Sequence, residues 1–289
     1  MGRTSVFLRR RYSPERRGAE TDWRNHSESA VTRLSREYAE VLGLRFFCGD
    51  IAAAVKSAET RILHGGVVFT PNAEMLYRAM HNPDFYRLLS SADMLLPDGQ
   101  GVVIAGILAG KKLERLPGIE FGEALLLSGK RVYFLGGRHG VAARAAERMA
   151  ARFPDVSVVG THHGYFSAAE EEGIVGEIAA LMPDAVFVAL GSPRQEEFIM
   201  RYRHSLPSSL LVGLGGSLDV YAGDKQRAPE IFRRTGCEWL YRVLKEPRRL
   251  RRVLCIPLFL AESFFYAEYC RFRHGIPHRK PRHAKEIAK

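Results

Sequence analysis

The chain has 289 residues, of which 46% are hydrophobic and 26% are charged, and this composition is typical of a soluble globular protein. Its four cysteines are far apart and include no Cys-x-x-Cys pair, which argues against a zinc site and against a disulfide framework. The net charge of +11 is concentrated in residues 225–289, where 17 Lys and Arg face 6 Asp and Glu, whereas residues 41–224 contain 17 against 20. This basic tail predicts a polyanionic partner: nucleic acid, an anionic membrane surface or a phosphorylated substrate.

The first 40 residues are polar and rich in arginine, and they lack the apolar segment of a secretory signal. We therefore predict a disordered basic arm at residues 1–40 and a cytoplasmic protein. Ordered structure is expected to begin near Leu42.

The first part of the ordered chain contains two short apolar runs and two helical segments. The run at residues 67–70 ends at Pro71, and helical spacing of apolar residues follows from Asn72 to Leu89. A brief strand is predicted to end at Asp98, and the small apolar residues from Gly101 to Gly110 predict a buried helix.

The second half alternates apolar runs with helical segments. Strands are predicted at residues 131–137 and in the runs that start at Val156, Asp184 and Ser209, and helices are predicted at Val141–Phe153 and Glu170–Leu181. This alternation indicates a Rossmann-like α/β fold, in which a mostly parallel sheet has helices on both faces. Runs such as VYFL and VFVAL show no polar alternation, which is typical of strands buried on both sides.

The C-terminal part has a different character. Val253–Cys270 is a largely apolar run of 18 residues, but one proline and two glutamates interrupt it, so a membrane-spanning helix is not expected. Because arginines flank the run at both ends, we predict a helix that lies in a membrane interface; the alternative is a terminal helix packed on the core or on another subunit. The predicted organisation is an α/β core at residues 41–235 and a helical, membrane-associating appendage at residues 236–289.

Polar and glycine-rich clusters follow the predicted strands, where parallel sheets bind their ligands. These clusters are TPNAE (70–74), PDGQG (97–101), LGGRHG (135–140), LGSPRQEE (190–197) and GLGGSLDVYAG (213–223). We expect them to meet at one edge of the sheet.

Two of the clusters contain candidate nucleotide-binding residues. The turn LGGRHG opens a helix, so Gly136 and Gly137 are candidates for binding phosphate, and Gly191 is a candidate in a later turn. The alternative is a tight turn that binds nothing. No acidic residue follows the next strand, which argues against a nicotinamide dinucleotide site. Gln195 is expected to offer its amide at the sheet edge, unless its turn only begins a helix whose dipole the following glutamates complement.

The tail contains candidate anion-binding side chains. Arg242, Arg249 and Arg252 are spaced by seven and three residues, so one helical face can present all three to phosphate oxygens. The alternative is a stripe that faces solvent or lipid. The chain has no Asp-x-Asp sequence, and no further ligand residue stands near the pair at residues 162–163, so no metal is expected and arginines would neutralise a diphosphate.

Together the clusters resemble those of the bacterial WecG/TagA/CpsF glycosyltransferases, glycosyltransferase family 26. The resemblance extends from about Leu44 to Arg252. It is carried by TPNAEML, LPDGQGVV, ERLPG, FLGG, GYF, LGSPRQE, GLGGSLDVYAG, the RAP of residues 227–229, and EWLYRVLKEPRRLRR. The order and spacing of these motifs are specific, although each motif alone is weak.

The resemblance implies an inverting, metal-independent enzyme without a cofactor. It would move a sugar from a UDP donor to a polyprenyl-diphosphate-linked sugar at the inner face of the cell membrane, in polysaccharide biosynthesis. N-acetylmannosamine-type sugars, glucose and glucuronic acid are all compatible donors.

The resemblance also implies residue roles. These are Asp98 as general base, Thr70 and Asn72 in a T-x-N pocket, Arg115 and Gln195 as substrate-binding residues, and Arg242, Arg249 and Arg252 as a diphosphate clamp. Where the family usually has R-x-T-G-x-D, this chain has R-L-P-G-I-E, which ends at Glu120 and bears on acceptor specificity.

Asp98 would take the proton of the acceptor hydroxyl as that oxygen attacks the anomeric carbon. Its apolar surroundings predict a raised pKa, and Gly99 and Gly101 would leave room for a sugar. The alternative for Asp98 is a helix N-cap. Two other functions stay open: a Rossmann-type oxidoreductase, and a nucleic-acid-binding protein that uses the tail. We do not expect nucleic acid as a partner, because most aromatic residues of the tail lie in its apolar run.

Overall fold

The computed structural model describes residues 37–62, 64–236, 238–245 and 250–273. Contacts between Cα atoms separate the chain after Tyr38, and the compact unit described below begins at Ala39. Most of the basic arm expected at residues 1–40, and the last part of the expected appendage, lie outside the described residues.

One mostly parallel sheet organises this unit. Its strands are β1 (Tyr38–Val41), β2 (Leu44–Phe47), β3 (Val67–Phe69), β4 (Met94–Leu95), β5 (Arg131–Gly136), β6 (Ser157–His162), β7 (Ala185–Ala189) and β8 (Leu210–Gly213). Their order across the sheet is β1-β2-β4-β3-β8-β7-β5-β6. Every pairing from β2 to β6 is parallel, which confirms the predicted α/β class.

Helices connect the strands and extend beyond the last one. They are α1 (Ile51–Ile62), α2 (Ala73–His81), α3 (Pro83–Ser90), α4 (Gln100–Leu108), α5 (Gly118–Leu127), α6 (Val141–Arg152), α7 (Glu171–Leu181), α8 (Arg194–Tyr202), α9 (Ser217–Tyr221), α10 (Glu230–Arg234), α11 (Glu238–Lys245), α12 (Leu250–Val253) and α13 (Cys255–Arg273). The helices predicted at residues 141–153 and 170–181 are therefore confirmed to within one residue.

The central strands are buried on both faces. Every residue of β7 and β8 is buried, and so is all of β5 after its first residue. Phe134 of β5 pairs in register with Phe187 of β7, and their rings stack with centroids 5.6 Å apart. Burial on both faces requires covering layers on both sides of the sheet, which explains why these runs show no polar alternation.

The sheet begins earlier than expected, with a hairpin. β1 and β2 are joined by Leu42 and Gly43, whose φ angles are +56° and +76°. Positive φ at both central residues is typical of a two-residue hairpin turn. The expected start near Leu42 is therefore wrong, because that residue lies in the turn between two strands.

The helix expected from Asn72 to Leu89 is two helices. The chain is extended at Asn82 (φ −137°, ψ 101°), and the side-chain oxygen of Asn82 accepts hydrogen bonds from the backbone N–H groups of Asp84 and Phe85 at 3.0 Å. A proline disfavours helical backbone in the residue before it. Pro83 therefore ends α2 and begins α3, although the apolar spacing continues across both.

The last helix, α13, has one buried side and one exposed side. It packs against α2 and α4, where it buries Phe259 and Ala267. Leu258, Phe265, Tyr269 and Phe272 stay exposed, the last to 90%. Among the described residues, none of the helices has the length and apolar character that crossing a membrane requires.

The domain boundary expected at residue 235 stays a prediction.

Candidate active site

Two cavities lie at the edge of the sheet where the parallel strands end. The larger has a volume of about 500 Å³ and is lined by the segments that follow β3, β4, β7 and β8. The smaller has a volume of about 160 Å³ and lies between the first turn of α4 and the helices α11 to α13. Since ligand pockets commonly measure about 300–1,000 Å³, the larger cavity has the size of a ligand site.

Four side chains line both cavities and therefore mark the place where the cavities meet. They are Asn72, Glu74, Asp98 and Glu238. The first three come from the sequence clusters that follow β3 and β4, whereas Glu238 is the first residue of α11. The C-terminal helices thus complete a site that the sheet begins.

Asp98 is held at this meeting point by its neighbours in the chain. Its backbone N–H donates to the carbonyl oxygen of Pro71 at 3.2 Å, and Pro97 accepts a hydrogen bond from the N–H of Leu116 at 2.9 Å. Helix α4 starts at Gln100, so the N-cap position belongs to Gly99 rather than to Asp98. The half-buried carboxylate of Asp98 therefore does not occupy the capping position considered as an alternative.

Glycine occupies the two positions near Asp98, 99 and 101, for different structural reasons. Gly99 has a φ of +92°, and a Cβ at this position would meet no atom within 4 Å, so its open side faces the smaller cavity. A Cβ on Gly101 would lie 2.7 Å from that of Ala73. Gly99 thus leaves space for a ligand, whereas Gly101 lets α4 pack closely against α2.

Thr70 and Asn72 line the larger cavity while their side chains also hold the fold. The hydroxyl of Thr70 donates to the carbonyl oxygen of Gly213 at 3.0 Å and so joins the ends of β3 and β8. The side-chain oxygen of Asn72 accepts from the N–H of Met75 at 3.0 Å and caps α2. Any contact of these residues with a substrate stays a prediction.

Gln195 belongs to a buried polar network. Its side-chain oxygen accepts from the N–H of Gly215 at 2.9 Å, and its amide nitrogen donates to Glu196 at 2.7 Å. Only 3% of Gln195 is exposed, although it lines the larger cavity. Its amide therefore fixes the loop after β8, a role that the sequence did not indicate.

Glu196 is the buried end of this network. The residue has no exposed surface, and its Oε2 atom has no hydrogen-bond partner among the described residues. Burial raises the pKa of Glu196 from 4.5 to about 7, and the hydrogen bond from Gln195 opposes this shift. The hydroxyl of Ser192 also opposes it, although its geometry falls short of a hydrogen bond. Glu196 lies in the first turn of α8, as the alternative expected, but it is buried there.

Arg115 meets the C-terminal helices in the smaller cavity. Its guanidinium lies 3.4 Å from the carboxylate of Glu238, and about a fifth of each side chain is exposed. This ion pair connects the segment before α5 with α11. A substrate-binding role for Arg115 stays a prediction.

The candidate nucleotide-binding glycines separate into two groups. Gly191 has a φ of +78°, lines the larger cavity, and a Cβ on it would meet no atom within 4 Å. Gly136 and Gly137 line neither cavity. A Cβ on Gly136 would lie 2.3 Å from the carbonyl oxygen of Ala189, and the N–H of Gly137 donates to that same oxygen at 3.2 Å. These contacts give the LGGRHG turn a packing role, and its phosphate role stays a prediction.

The side chains of the predicted diphosphate clamp lie outside the described part of the chain. Arg249 lies outside the described residues. Arg242 and Arg252 lie in α11 and α12, but their side chains are outside the described part of the chain. The clamp therefore stays a prediction. Within the described ranges, no group of three or more His, Cys, Asp or Glu side chains is arranged to hold a metal ion.

The larger cavity is also lined by cations to which the sequence analysis gave no role. They are Arg78, Lys225, Arg227 and Lys245. Arg227 forms an ion pair with Glu120, and its buried Nε has no hydrogen-bond partner among the described residues. The RAP motif was the available signal for Arg227, but only the fold places it beside Glu120.

Comparison with known proteins gives a consistent result. The family model described as Glycosyl transferase WecG/TagA/CpsF family matches residues 39–272. A protein of Bacillus spizizenii (strain ATCC 23059 / NRRL B-14472 / W23) is 42% identical over 75% of this chain and 87% of its own length. Proteins of Bacillus subtilis (strain 168) and Staphylococcus aureus (strain MW2) are each 36% identical, over 68% and 79% of this chain and 77% and 92% of their own lengths. All three are named N-acetylglucosaminyldiphosphoundecaprenol N-acetyl-beta-D-mannosaminyltransferase.

Proposed function

We propose a specific reaction from the premise that the chain belongs to the glycosyl transferase WecG/TagA/CpsF family and is a glycosyltransferase. In this reaction the chain transfers N-acetylmannosamine from a UDP donor to polyprenyl-diphosphate-linked N-acetylglucosamine. The names of the relatives support this acceptor and favour N-acetylmannosamine over glucose or glucuronic acid. The UDP donor, inversion and independence of metal belong to the same proposal.

The observation that carries the proposal is the position of Asp98 between two cavities. The larger cavity has room for a nucleotide sugar, and the smaller one would admit the acceptor. A carboxylate at their junction can take the proton from the acceptor hydroxyl while that oxygen attacks the anomeric carbon. The new bond forms on the face opposite the departing UDP, so a single displacement inverts the configuration.

The charge of the departing diphosphate must be met by cations. Arg78, Lys225 and Arg227 line the larger cavity and support this role. Guanidinium groups suit phosphate oxygens because they donate in pairs. The predicted clamp of Arg242, Arg249 and Arg252 would add further cations from the C-terminal helices.

The exposed side of α13 supports a position at the inner face of the cell membrane. Leu258, Phe265, Tyr269 and Phe272 present apolar surface there, and the helix ends with Arg271 and Arg273. Apolar side chains next to basic residues are the usual means by which a helix lies on an anionic lipid surface. An acceptor anchored in that membrane would then meet the cavities directly.

The test is substitution of Asp98 by asparagine, assayed by UDP release with a panel of UDP-sugars and a prenyl-diphosphate-linked N-acetylglucosamine. Loss of a general base costs about 10²–10⁴-fold in rate, so we expect Asp98→Asn to lose most turnover and to bind UDP nearly as the original protein does. Asp155→Asn is the matched control, because Asp155 is exposed and lines neither cavity. Unchanged turnover of Asp98→Asn would contradict the mechanism, and release of UDP only from a different donor would change the assigned sugar.

A further inference from the structure

The smaller cavity has an apolar wall that the transfer of a sugar does not require. This wall is formed by Trp239 of α11, Val253 of α12 and Ile256 of α13. We propose that it binds the first isoprene units of the lipid-linked acceptor, so that the enzyme recognises the lipid as well as the sugar. This inference rests on the proposed function, whose acceptor it describes in more detail.

The chain places the groups of the smaller cavity in an order that matches such an acceptor. Asp98, which would meet the sugar hydroxyl, lies at the junction with the larger cavity. Arg115 is close to it in the fold, because the N–H of Leu116 bonds to the carbonyl of Pro97. A guanidinium at this position can meet the acceptor diphosphate. The carboxylate of Glu238 now pairs with Arg115, and a bound diphosphate would compete for that cation.

The apolar wall begins, in the chain, at the residue after the carboxylate of this ion pair. Trp239 is adjacent to Glu238 in α11, and Trp239, Val253 and Ile256 line only the smaller cavity. The order of contacts is therefore carboxylate, cation and apolar wall. The order of groups in the acceptor is sugar hydroxyl, diphosphate and isoprenoid. A free fatty chain or an apolar peptide would not use the first two contacts.

Trp239 is the side chain of this wall that folding explains least. It is 44% exposed, although tryptophan gains much free energy from burial. Gly236 and Gln100 line the same cavity and approach each other closely, since a Cβ on Gly236 would lie 2.9 Å from the side chain of Gln100. Exposed Leu254 and Leu258 continue the apolar surface along the chain. A prenyl chain can thus pass from the cavity to the surface that we assign to the membrane.

The test compares two soluble acceptors without vesicles, so that partition into a membrane cannot contribute. Both carry N-acetylglucosamine diphosphate, one as its methyl ester and the other as its geranyl ester, each below its micelle concentration. Burial of about two methylene groups favours binding about tenfold, so we expect the KM of the geranyl acceptor to be about tenfold lower. In Trp239→Ala the ratio of the two KM values should fall towards one.

Leu244→Ala is the matched control, because Leu244 is an exposed apolar residue of the same helix and lines neither cavity. It should keep the tenfold ratio. Equal KM values in the unsubstituted protein, or an unchanged ratio in Trp239→Ala, would overturn the inference while the transfer reaction itself stands.

A second measurement does not depend on turnover. The sequence contains two tryptophans, so the variant Trp23→Phe retains only Trp239 as a fluorescent reporter. We expect geranyl diphosphate to change its emission and methyl diphosphate to leave it unchanged. If neither acceptor is turned over but the emission still changes, the proposed reaction fails and the isoprenoid site stands. No change in emission overturns the site.

Discussion

At the scale of single residues, the site combines Asp98, the base that we propose, with groups that hold others in place. Asp98 lines both cavities, whereas Gln195 lines the larger one with little exposed surface, and Glu196 beside it is fully buried. A buried carboxyl with an unpartnered oxygen is costly once it is ionised. Glu196 therefore makes the stability of the protein depend on pH.

The first prediction concerns Glu196→Gln. Because burial raises the pKa of Glu196 from 4.5 to about 7, the folded state binds a proton that the unfolded state has already lost within this window. The original protein should therefore lose about 2–3 kcal/mol of stability through this group as the pH rises from about 5 to 8. Glutamine cannot ionise, so the variant should lack this decline.

Urea unfolding of both proteins at the two pH values gives the measurement. Glu197→Gln is the control, because Glu197 is the exposed neighbour, and it should keep the pH dependence of the original protein. The prediction is wrong if Glu196→Gln and the original protein lose stability in parallel.

A second prediction at this scale compares Gly99→Ala with Gly110→Ala. Both glycines have positive φ, +92° and +72°, and a Cβ would meet no atom within 4 Å at either. Each alanine should therefore cost about 1–3 kcal/mol of stability through backbone strain. Only Gly99 lines the smaller cavity, so only Gly99→Ala should also raise the KM for the acceptor. Equal acceptor KM values in the two variants would show that a ligand does not approach Gly99.

At the scale of elements, the sequence predicted the strands whose position is set by burial. It missed the hairpin and the helix break, which are set by local reversals of the chain. The runs of β5 after Arg131, of β7 and of β8 contain no polar residue, and a strand buried on both faces is the natural interpretation. The β1–β2 hairpin was missed because Leu42 occupies a left-handed position that usually takes Gly, Asn or Asp. The break between α2 and α3 was predictable from Asn82 and Pro83, but the continuous apolar spacing concealed it.

The exposed side of α13 leads to a prediction at the same scale. Phe265 and Phe272 are seven residues apart and exposed, so Phe265→Ser combined with Phe272→Ser should weaken binding to vesicles that contain anionic lipid. The melting temperature should change little, because neither ring is buried. Met182→Ser, which alters an exposed apolar residue of a different helix end, should leave sedimentation with vesicles unchanged. Undiminished sedimentation of the double variant would contradict the membrane position.

At the scale of the whole molecule, the sequence located the cluster residues but not the partners that complete the site. The segments after β3, β4, β7 and β8 line one cavity, as the common direction of parallel strands requires. The pairs Arg115–Glu238 and Arg227–Glu120 join residues 123 and 107 positions apart. No local pattern connects residues so distant, so only the assembled fold identifies them as neighbours.

Glu238 forms part of the wall of both cavities, and this has a consequence for how the two substrates bind. A displacement of its side chain that widens one compartment changes the shape of the other. If donor and acceptor occupy the two cavities as proposed, each changes the affinity of the other, and thermodynamic reciprocity requires that both affinities change by the same factor.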